Sequence, residues 1–198
     1  MFKKKKNQYY YHQKKKIITP KLIREIFSWI MVTIVAVVIA TAIVLSFGMQ
    51  VKVIGDSMEP AIVGGQGVLV DRVLSKIISP EIGDVIVFLP NGNSNSHFYV
   101  KRVVASPGDT VQIIDGSLYV NGVKGDKESK YDKMEDAGIA ENEIKLKSGE
   151  YFVLGDNRNS SEDSRSANIG IVGQSMIIGK AWFKLPGENA ERGMIPSY

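Results

Sequence analysis

The 198-residue sequence contains no cysteine and only two histidines, His12 and His97. The lack of cysteine excludes disulfide bonds, thiol nucleophiles and cysteine-ligated zinc. Two isolated histidines do not build a histidine-rich metal site, so we predict no metal and no other cofactor. Hydrolytic chemistry on this chain would therefore need a hydroxyl nucleophile and a base from a short set of candidates.

Charged residues are missing from Ile26 to Val51, and residues 26–47 are mainly Ile, Val, Ala and Phe. A bilayer core of about 30 Å is crossed by about 20 helical residues, so we predict a transmembrane helix over 26–47. The small-x-small sequence Ala40-Thr41-Ala42 leaves a cleaved signal peptide as the alternative. The apolar run continues beyond that sequence and exceeds a signal-peptide core of about 7–15 residues, which favours an uncleaved anchor.

Positive charge is concentrated before the predicted span. Residues 1–25 contain nine Lys+Arg and one acidic residue, whereas the rest of the chain contains 16 Lys+Arg and 20 Asp+Glu. Because basic flanks stay in the cytoplasm, we predict a cytoplasmic tail over 1–25 and an extracytoplasmic domain over 48–198, joined by a single pass through the cell membrane. Anionic lipid explains the basic tail, so no nucleic-acid partner is predicted.

Beyond the span, short apolar runs alternate with turn sequences, which is typical of strands. Asp115-Gly116 separates two of these runs and predicts a hairpin with a type I′ turn. Many short strands with frequent glycine turns predict a mainly β domain, an antiparallel barrel or coiled sheet. About half of residues 124–147 are charged, so we predict a surface excursion without a core of its own. The predicted strands are Val68–Val70, Asp84–Leu89, Phe98–Val104, Val111–Ile114, Ser117–Val120, Tyr151–Leu154 and Gln174–Phe183.

A serine follows the span in the turn sequence Gly55-Asp56-Ser57-Met58-Glu59-Pro60. Its hydroxyl is a weak nucleophile unless a base removes the proton. The two candidate bases are His97, at the end of the polar loop 91–96, and Lys101, in an apolar strand.

Lys101 and Arg102 are neighbours on one predicted strand, so one of the two cations faces an apolar side. Burial can lower a lysine pKa by about 3–5 units, whereas arginine stays charged. Lys101 is therefore the chemically competent base of the pair. The pattern alone leaves open an edge-strand lysine whose amine reaches water.

The segment Gly155–Arg165 follows a predicted strand directly and is dense in small polar and charged residues. Such a composition predicts a structured loop of Asx turns and ion pairs. In a functional interpretation, a hydroxyl of this loop orients the lysine nitrogen, while Asp163 and Arg165 hold the loop in place.

These segments, in this order and behind an N-terminal anchor, resemble the type I signal peptidases, most of all the small single-anchor form typical of Gram-positive bacteria. The resemblance covers the chain from the span to about Phe183. It implies a membrane-bound serine endopeptidase with a coiled-sheet β domain, which removes signal peptides from exported preproteins through an acyl-enzyme. The motifs that carry it are Gly55–Pro60, Gly83–Phe88, Lys101–Val104 leading to Pro107-Gly108-Asp109, and the loop Gly155–Arg165.

The resemblance also implies roles for particular residues. Ser57 would be the nucleophile and Lys101 the general base. Ser161 would hydrogen-bond the lysine amine, and Asp163 with Arg165 would form a supporting ion pair.

Gly55 occupies a position where some relatives carry a serine whose hydroxyl helps to bind the oxyanion. The backbone N–H of Ser57 would then serve as one donor, and a second donor is not identified. Two apolar pockets for small side chains would lie beside the serine. Candidate pocket residues are Ile54, Met58, Tyr99 and Val100. The implied partners are exported preproteins, the lipid bilayer and the secretion translocon.

Two alternatives stay open from the residues alone. One is a Ser57–His97 hydrolase acting on other substrates. The other is an anchored β domain that binds peptides without performing chemistry.

Overall fold

The computed structural model describes residues 19–92, 97–125, 130–188 and 190–197. Most of the predicted cytoplasmic tail and residues 93–96 of the polar loop lie outside the described residues. The chain divides into two compact units, the first ending at Ala42 and the second beginning at Ile43.

The N-terminal unit contains most of helix α1 (Pro20–Phe47). The helix begins six residues before the predicted span, because Thr19 Oγ1 accepts the N–H of Leu22 at 3.3 Å and Pro20 is favoured at the first helical position. Its segment Pro20–Ser46 is long and apolar enough to cross a membrane, and no other helix within the described ranges is.

The second unit contains a large antiparallel sheet with the strand order β1-β2-β11-β3-β4-β9-β10, in which β12 pairs with β11. A short helix, α2 (Leu74–Ile77), lies between β2 and β3 along the chain. These strands are β1 (Met49–Lys52), β2 (Gly67–Asp71), β3 (Val85–Phe88), β4 (Tyr99–Ala105), β9 (Glu150–Leu154), β10 (Val172–Gly173), β11 (Ile177–Lys184) and β12 (Gly193–Met194).

A smaller antiparallel sheet has the order β7-β6-β5-β8 and contains the predicted hairpin. Asp115 and Gly116 both have positive φ, 49° and 73°, as a type I′ turn requires. Asn121 and Gly122 form a second positive-φ pair, at 54° and 75°, and lead into one further strand. The strands are β5 (Thr110–Ile114), β6 (Ser117–Val120), β7 (Val123–Lys124) and β8 (Ile144–Lys145).

The prediction of a mainly β domain with antiparallel coiled sheets behind one apolar helix is confirmed. Each predicted strand is present with small shifts at its ends. Five further strands occur within the described residues: β1, of four residues, and β7, β8, β10 and β12, whose two residues each are too short for alternation to reveal. Within the described part of the segment 124–147, Met134, Ala140 and Leu146 are buried in one cluster with residues of β5, β6 and β9, so these side chains pack into a core that belongs to the neighbouring strands.

Strand β4 lies between β3 and β9 in the middle of the large sheet and is buried on both faces. Val100 packs into the hydrophobic cluster that contains β1 and β2 residues, and Val103 packs into the cluster on the other side. Adjacent side chains on a strand point to opposite faces, so Lys101 and Arg102 are both carried into the interior.

Candidate active site

Lys101 and Ser57 meet inside the second unit. Lys101 Nζ donates a hydrogen bond to Ser57 Oγ at 2.6 Å, and the two residues are 4% and 9% exposed. Ser57 is presented by the turn after β1, and Lys101 by the middle of β4. The contact therefore joins residues 44 positions apart in the sequence, which only the folded chain brings together.

The environment of Lys101 favours the neutral amine. The pKa of Lys101 is lowered from 10.5 to about 8, mainly by burial; the carboxylates of Asp163, Glu162 and Asp156 oppose this fall, and the charge of Arg165 adds to it. A lysine with such a pKa is partly deprotonated near neutral pH and can accept a proton.

Arg102 on the opposite face of β4 is equally buried, at 2% exposure, but is fully committed to partners. Its Nε and Nη2 donate to the two carboxylate oxygens of Asp156 at 2.7 and 2.6 Å. Its Nη1 donates to the carbonyl oxygens of Gly83 and Pro196 at 2.7 and 2.6 Å. Because these charged hydrogen bonds occupy Nε, Nη1 and Nη2, the role of Arg102 is structural.

The loop over 155–165 is built around Asp163, which is fully buried. Arg165 donates to both oxygens of Asp163, from Nε at 2.8 Å and from Nη2 at 2.9 Å, so the predicted ion pair is present in this structure. The hydroxyl of Ser161 donates to Asp163 Oδ2 at 2.8 Å. Among the described residues this hydroxyl makes no hydrogen bond to Lys101, so the contact with the lysine amine that the resemblance implies is not present in this structure.

The same loop is fastened to the turn that carries the serine. Asn157 N–H donates to the carbonyl oxygen of Ser57 at 3.1 Å, and Ser160 Oγ donates to Asp56 Oδ1 at 2.8 Å. Gly155 lies at the crossing point, where a Cβ atom would collide with the Ser161 hydroxyl and the Ser57 carbonyl. Glycine is therefore required there for close approach of loop and turn.

Gly55 has a φ of 76°, and a Cβ atom placed on it would meet nothing within 4 Å. The left-handed backbone conformation, and not crowding, is thus the physical reason for glycine at this position.

The Ser57–Lys101 pair opens into a cleft of about 270 Å³. Of the four predicted pocket residues, Ile54, Tyr99 and Val100 line it. Met58 does not line it: this side chain is 0% exposed and belongs to the core cluster under β1 and β2, so its prediction as a pocket residue is wrong. The other lining residues are Val53, Gly55, Asp56, Ser57, His97, Phe98, Lys101, Ser160 and Glu162.

His97 lies at the exposed rim of this cleft. Within the described part of the chain, the hydrogen bond of Ser57 Oγ is with the lysine amine and none joins the serine to His97.

A family model described as "Signal peptidase, peptidase S26" matches residues 26–185, which include every residue of this site. The chain belongs to the signal peptidase family, peptidase S26. It is 31% identical over 167 residues to signal peptidase I from Bacillus licheniformis, covering 81% of this chain and 88% of that relative. It is 35% identical over 178 residues to signal peptidase IB from Staphylococcus aureus strain COL, covering 81% and 90%.

Among solved structures, the crystal structure of a signal peptidase I from Enterococcus faecalis V583 is 30% identical, with a TM-score of 0.38. The match covers 52% of this chain and 97% of that one.

As a member of the signal peptidase family, the chain is a serine endopeptidase that cleaves signal peptides, and its substrates are preproteins that carry them. This membership excludes the alternative of a peptide-binding domain without chemistry.

Sequence reasoning missed two carboxylates of the site. Asp156 was part of the loop motif, but its bidentate contact with Arg102 has no local signal because 54 residues separate the two. Glu162 hydrogen-bonds Tyr99 across 63 residues, and a lone glutamate in a polar loop looks like any solvated charge.

Proposed function

We propose that signal-peptide cleavage by this chain uses Ser57 as nucleophile and Lys101 as general base, through an acyl-enzyme. The 2.6 Å contact between Lys101 Nζ and Ser57 Oγ, with both groups buried, supports this assignment most strongly. A base within hydrogen-bond reach of the hydroxyl, with a pKa near the working pH, is what general-base catalysis requires.

The reaction has two halves. Neutral Lys101 accepts the hydroxyl proton as Ser57 Oγ attacks the scissile carbonyl carbon; the resulting ammonium then protonates the leaving amine as the C–N bond breaks. In the second half, Lys101 takes a proton from water, whose oxygen attacks the ester. When the ester bond breaks, the proton returns to Ser57 Oγ and the signal peptide leaves as a free acid.

The oxyanion of both tetrahedral intermediates is bound by the backbone N–H of Ser57 and by a second donor. This second donor is not a side-chain hydroxyl at position 55, because Gly55 has none. Preorganised donors of this kind are each worth about 10²–10³ in rate. The extended cleavage region of the preprotein lies in the cleft, where Ile54, Tyr99 and Val100 contact small side chains.

Asp163 and Arg165 support the site by fixing the loop beside Lys101. Ser161 contributes through its hydrogen bond to Asp163 Oδ2 rather than by direct contact with the amine. Asp163 also favours the charged lysine, so the loop tunes the base as well as positioning it.

Helix α1 anchors the enzyme in the cell membrane, with residues 1–25 cytoplasmic, residues 26–47 as the span and residues 48–198 outside. The lipid bilayer and the secretion translocon are then its partners, and confinement to one surface raises the effective concentration of preprotein. A reporter enzyme that is active only outside the cytoplasm, fused after residue 198, tests this orientation; activity only from fusions before residue 20 would contradict it.

The serine and lysine assignment is tested by Ser57→Ala and Lys101→Met, with His97→Ala as the comparison. We expect both site variants to lose cleavage of a radiolabelled preprotein, by about 10²–10⁴-fold or more, because a general base contributes that much. His97→Ala retains near-normal cleavage.

The opposite pattern, with His97→Ala inactive and Lys101→Met active, would instead establish a Ser57–His97 hydrolase. Far-ultraviolet circular dichroism of each variant shows whether the domain is folded, so that a loss of cleavage is assigned to chemistry.

A further inference from the structure

Tyr99 precedes Lys101 by two residues on β4, so both side chains leave the same face of the strand. The centroid of its ring lies 5.8 Å from Lys101 Nζ. The ring also packs against Phe88, with ring centroids 5.8 Å apart and planes inclined by 35°. The tyrosine ring is thus a wall of the cleft beside the amine.

The hydroxyl group of this ring is hydrogen-bonded to the loop over 155–165. Tyr99 Oη donates to Glu162 Oε2 at 3.0 Å, and Asn168 Nδ2 donates to Glu162 Oε1 at 3.4 Å. Glu162 stands between Ser161 and the buried Asp163, so its backbone is fixed by the ion pair of the loop. Burial, together with Glu162, raises the pKa of Tyr99, which therefore keeps its proton and stays a donor.

We propose that Tyr99 and Glu162 form a positioning pair, which ties the strand that carries Lys101 to the loop that carries Asp163 and holds the tyrosine ring beside the amine. The inference rests on the proposed function, since it assigns the pair to the support of the Ser57–Lys101 site. Neither residue touches the reacting atoms; they act through the lysine and the shape of the cleft.

The pair has two separable effects on the site. The hydrogen bond is geometric and needs only an acceptor at position 162. The charge of Glu162 is electrostatic and favours the protonated lysine, as do Asp163 and Asp156, whereas Arg165 opposes it. Different substitutions therefore remove one effect and keep the other.

Tyr99→Phe keeps the ring and removes the tie, while Glu162→Gln keeps an oxygen acceptor and removes the charge. The readout is the pH profile of kcat for preprotein cleavage by the full chain in detergent. We expect Tyr99→Phe to lower the plateau of this profile, its maximal kcat, about three- to tenfold, as the loss of one hydrogen bond allows. The activating limb, the part of the profile in which kcat rises with pH, should stay in place. Glu162→Gln should keep the plateau and move the limb to lower pH.

Matched controls lie in or beside the smaller sheet. Tyr119→Phe removes a hydroxyl from β6 and Glu143→Gln removes an exposed charge, and both should leave plateau and limb unchanged. In the double variant Tyr99→Phe with Glu162→Gln, the plateau should equal that of Tyr99→Phe alone, because the tie is already absent.

An unchanged plateau in Tyr99→Phe, a limb that Glu162→Gln does not move, or a further drop of the plateau in the double variant overturns the proposal. A residue with a structural role alone would lower the melting temperature without this division between plateau and limb. Lys101→Met is assayed in parallel: if it stays active, the Ser57–Lys101 assignment fails, whereas an inactive Lys101→Met with a neutral Tyr99→Phe overturns only the positioning pair.

Discussion

The two faces of β4 carry two buried cations whose hydrogen-bond partners differ. Lys101 has a neutral hydroxyl as its hydrogen-bond partner at 2.6 Å, and burial lowers its pKa to about 8. Arg102, the next residue, is bound by both oxygens of Asp156 and by two backbone carbonyls. Burial alone therefore does not decide whether a cation can lose its proton; the chemistry of the side chain and the charge of its partner also count.

The largest expected effect comes from changing the type of cation at positions 101 and 102 of β4. Lys101→Arg puts a group that stays charged beside Ser57, so we expect cleavage to fall about 10²–10⁴-fold. Arg102→Lys is the matched control and should retain the activating limb near pH 8. Single-turnover cleavage of a preprotein between pH 6 and 10 measures both, and an active Lys101→Arg would contradict a lysine base.

Removing the partner charge of Arg102 is the next test. Asp156→Asn leaves a buried arginine without its carboxylate, which we expect to cost about 3–5 kcal/mol in the free energy of unfolding. Asp132→Asn is the control, because it removes an exposed carboxylate, and such a surface substitution changes the free energy of unfolding by about 0.5 kcal/mol or less. Urea unfolding compares the two variants; equal losses would mean that the Arg102 side of β4 is not special.

The burial of Lys101 should itself reduce stability. A folded-state pKa of about 8 against an ordinary 10.5 means that the unfolded chain binds more protons between these values, so stability rises with pH across this window. Lys101→Met should therefore be more stable than the wild type by up to about 3 kcal/mol at pH 7. The gain should vanish above pH 10.5, and a gain that is constant with pH would show that packing, not charge, is responsible.

The smallest effect concerns the serine side of the same contact. Gly55→Ala places a Cβ in open space but retains the φ of 76°, so only backbone strain is added. We expect a loss of about 1 kcal/mol with cleavage largely retained. Thermal unfolding measures this loss, and a loss of several kcal/mol would show that the turn tolerates no side chain at all.

Local patterns in the sequence predicted the elements that have local causes. Asp115-Gly116 predicted its hairpin because a type I′ turn needs positive φ at two adjacent residues. The short strands β7, β8, β10 and β12 could not be predicted, because two residues carry no alternation. Met58 was misplaced because it follows the serine in a turn, where periodicity does not tell which way a side chain points.

By itself, the sequence determined the class of chemistry. Without cysteine and with one histidine beyond the span, it left a serine and a lysine as the strongest pair, and its ordered motifs led to the family. The tertiary structure decided that both cations of β4 are buried, that Asp156 neutralises one of them, and that Glu162 and Tyr99 meet at the cleft. These contacts join residues of β4 to turn and loop residues 44 to 63 positions away, and only the folded chain brings such residues together.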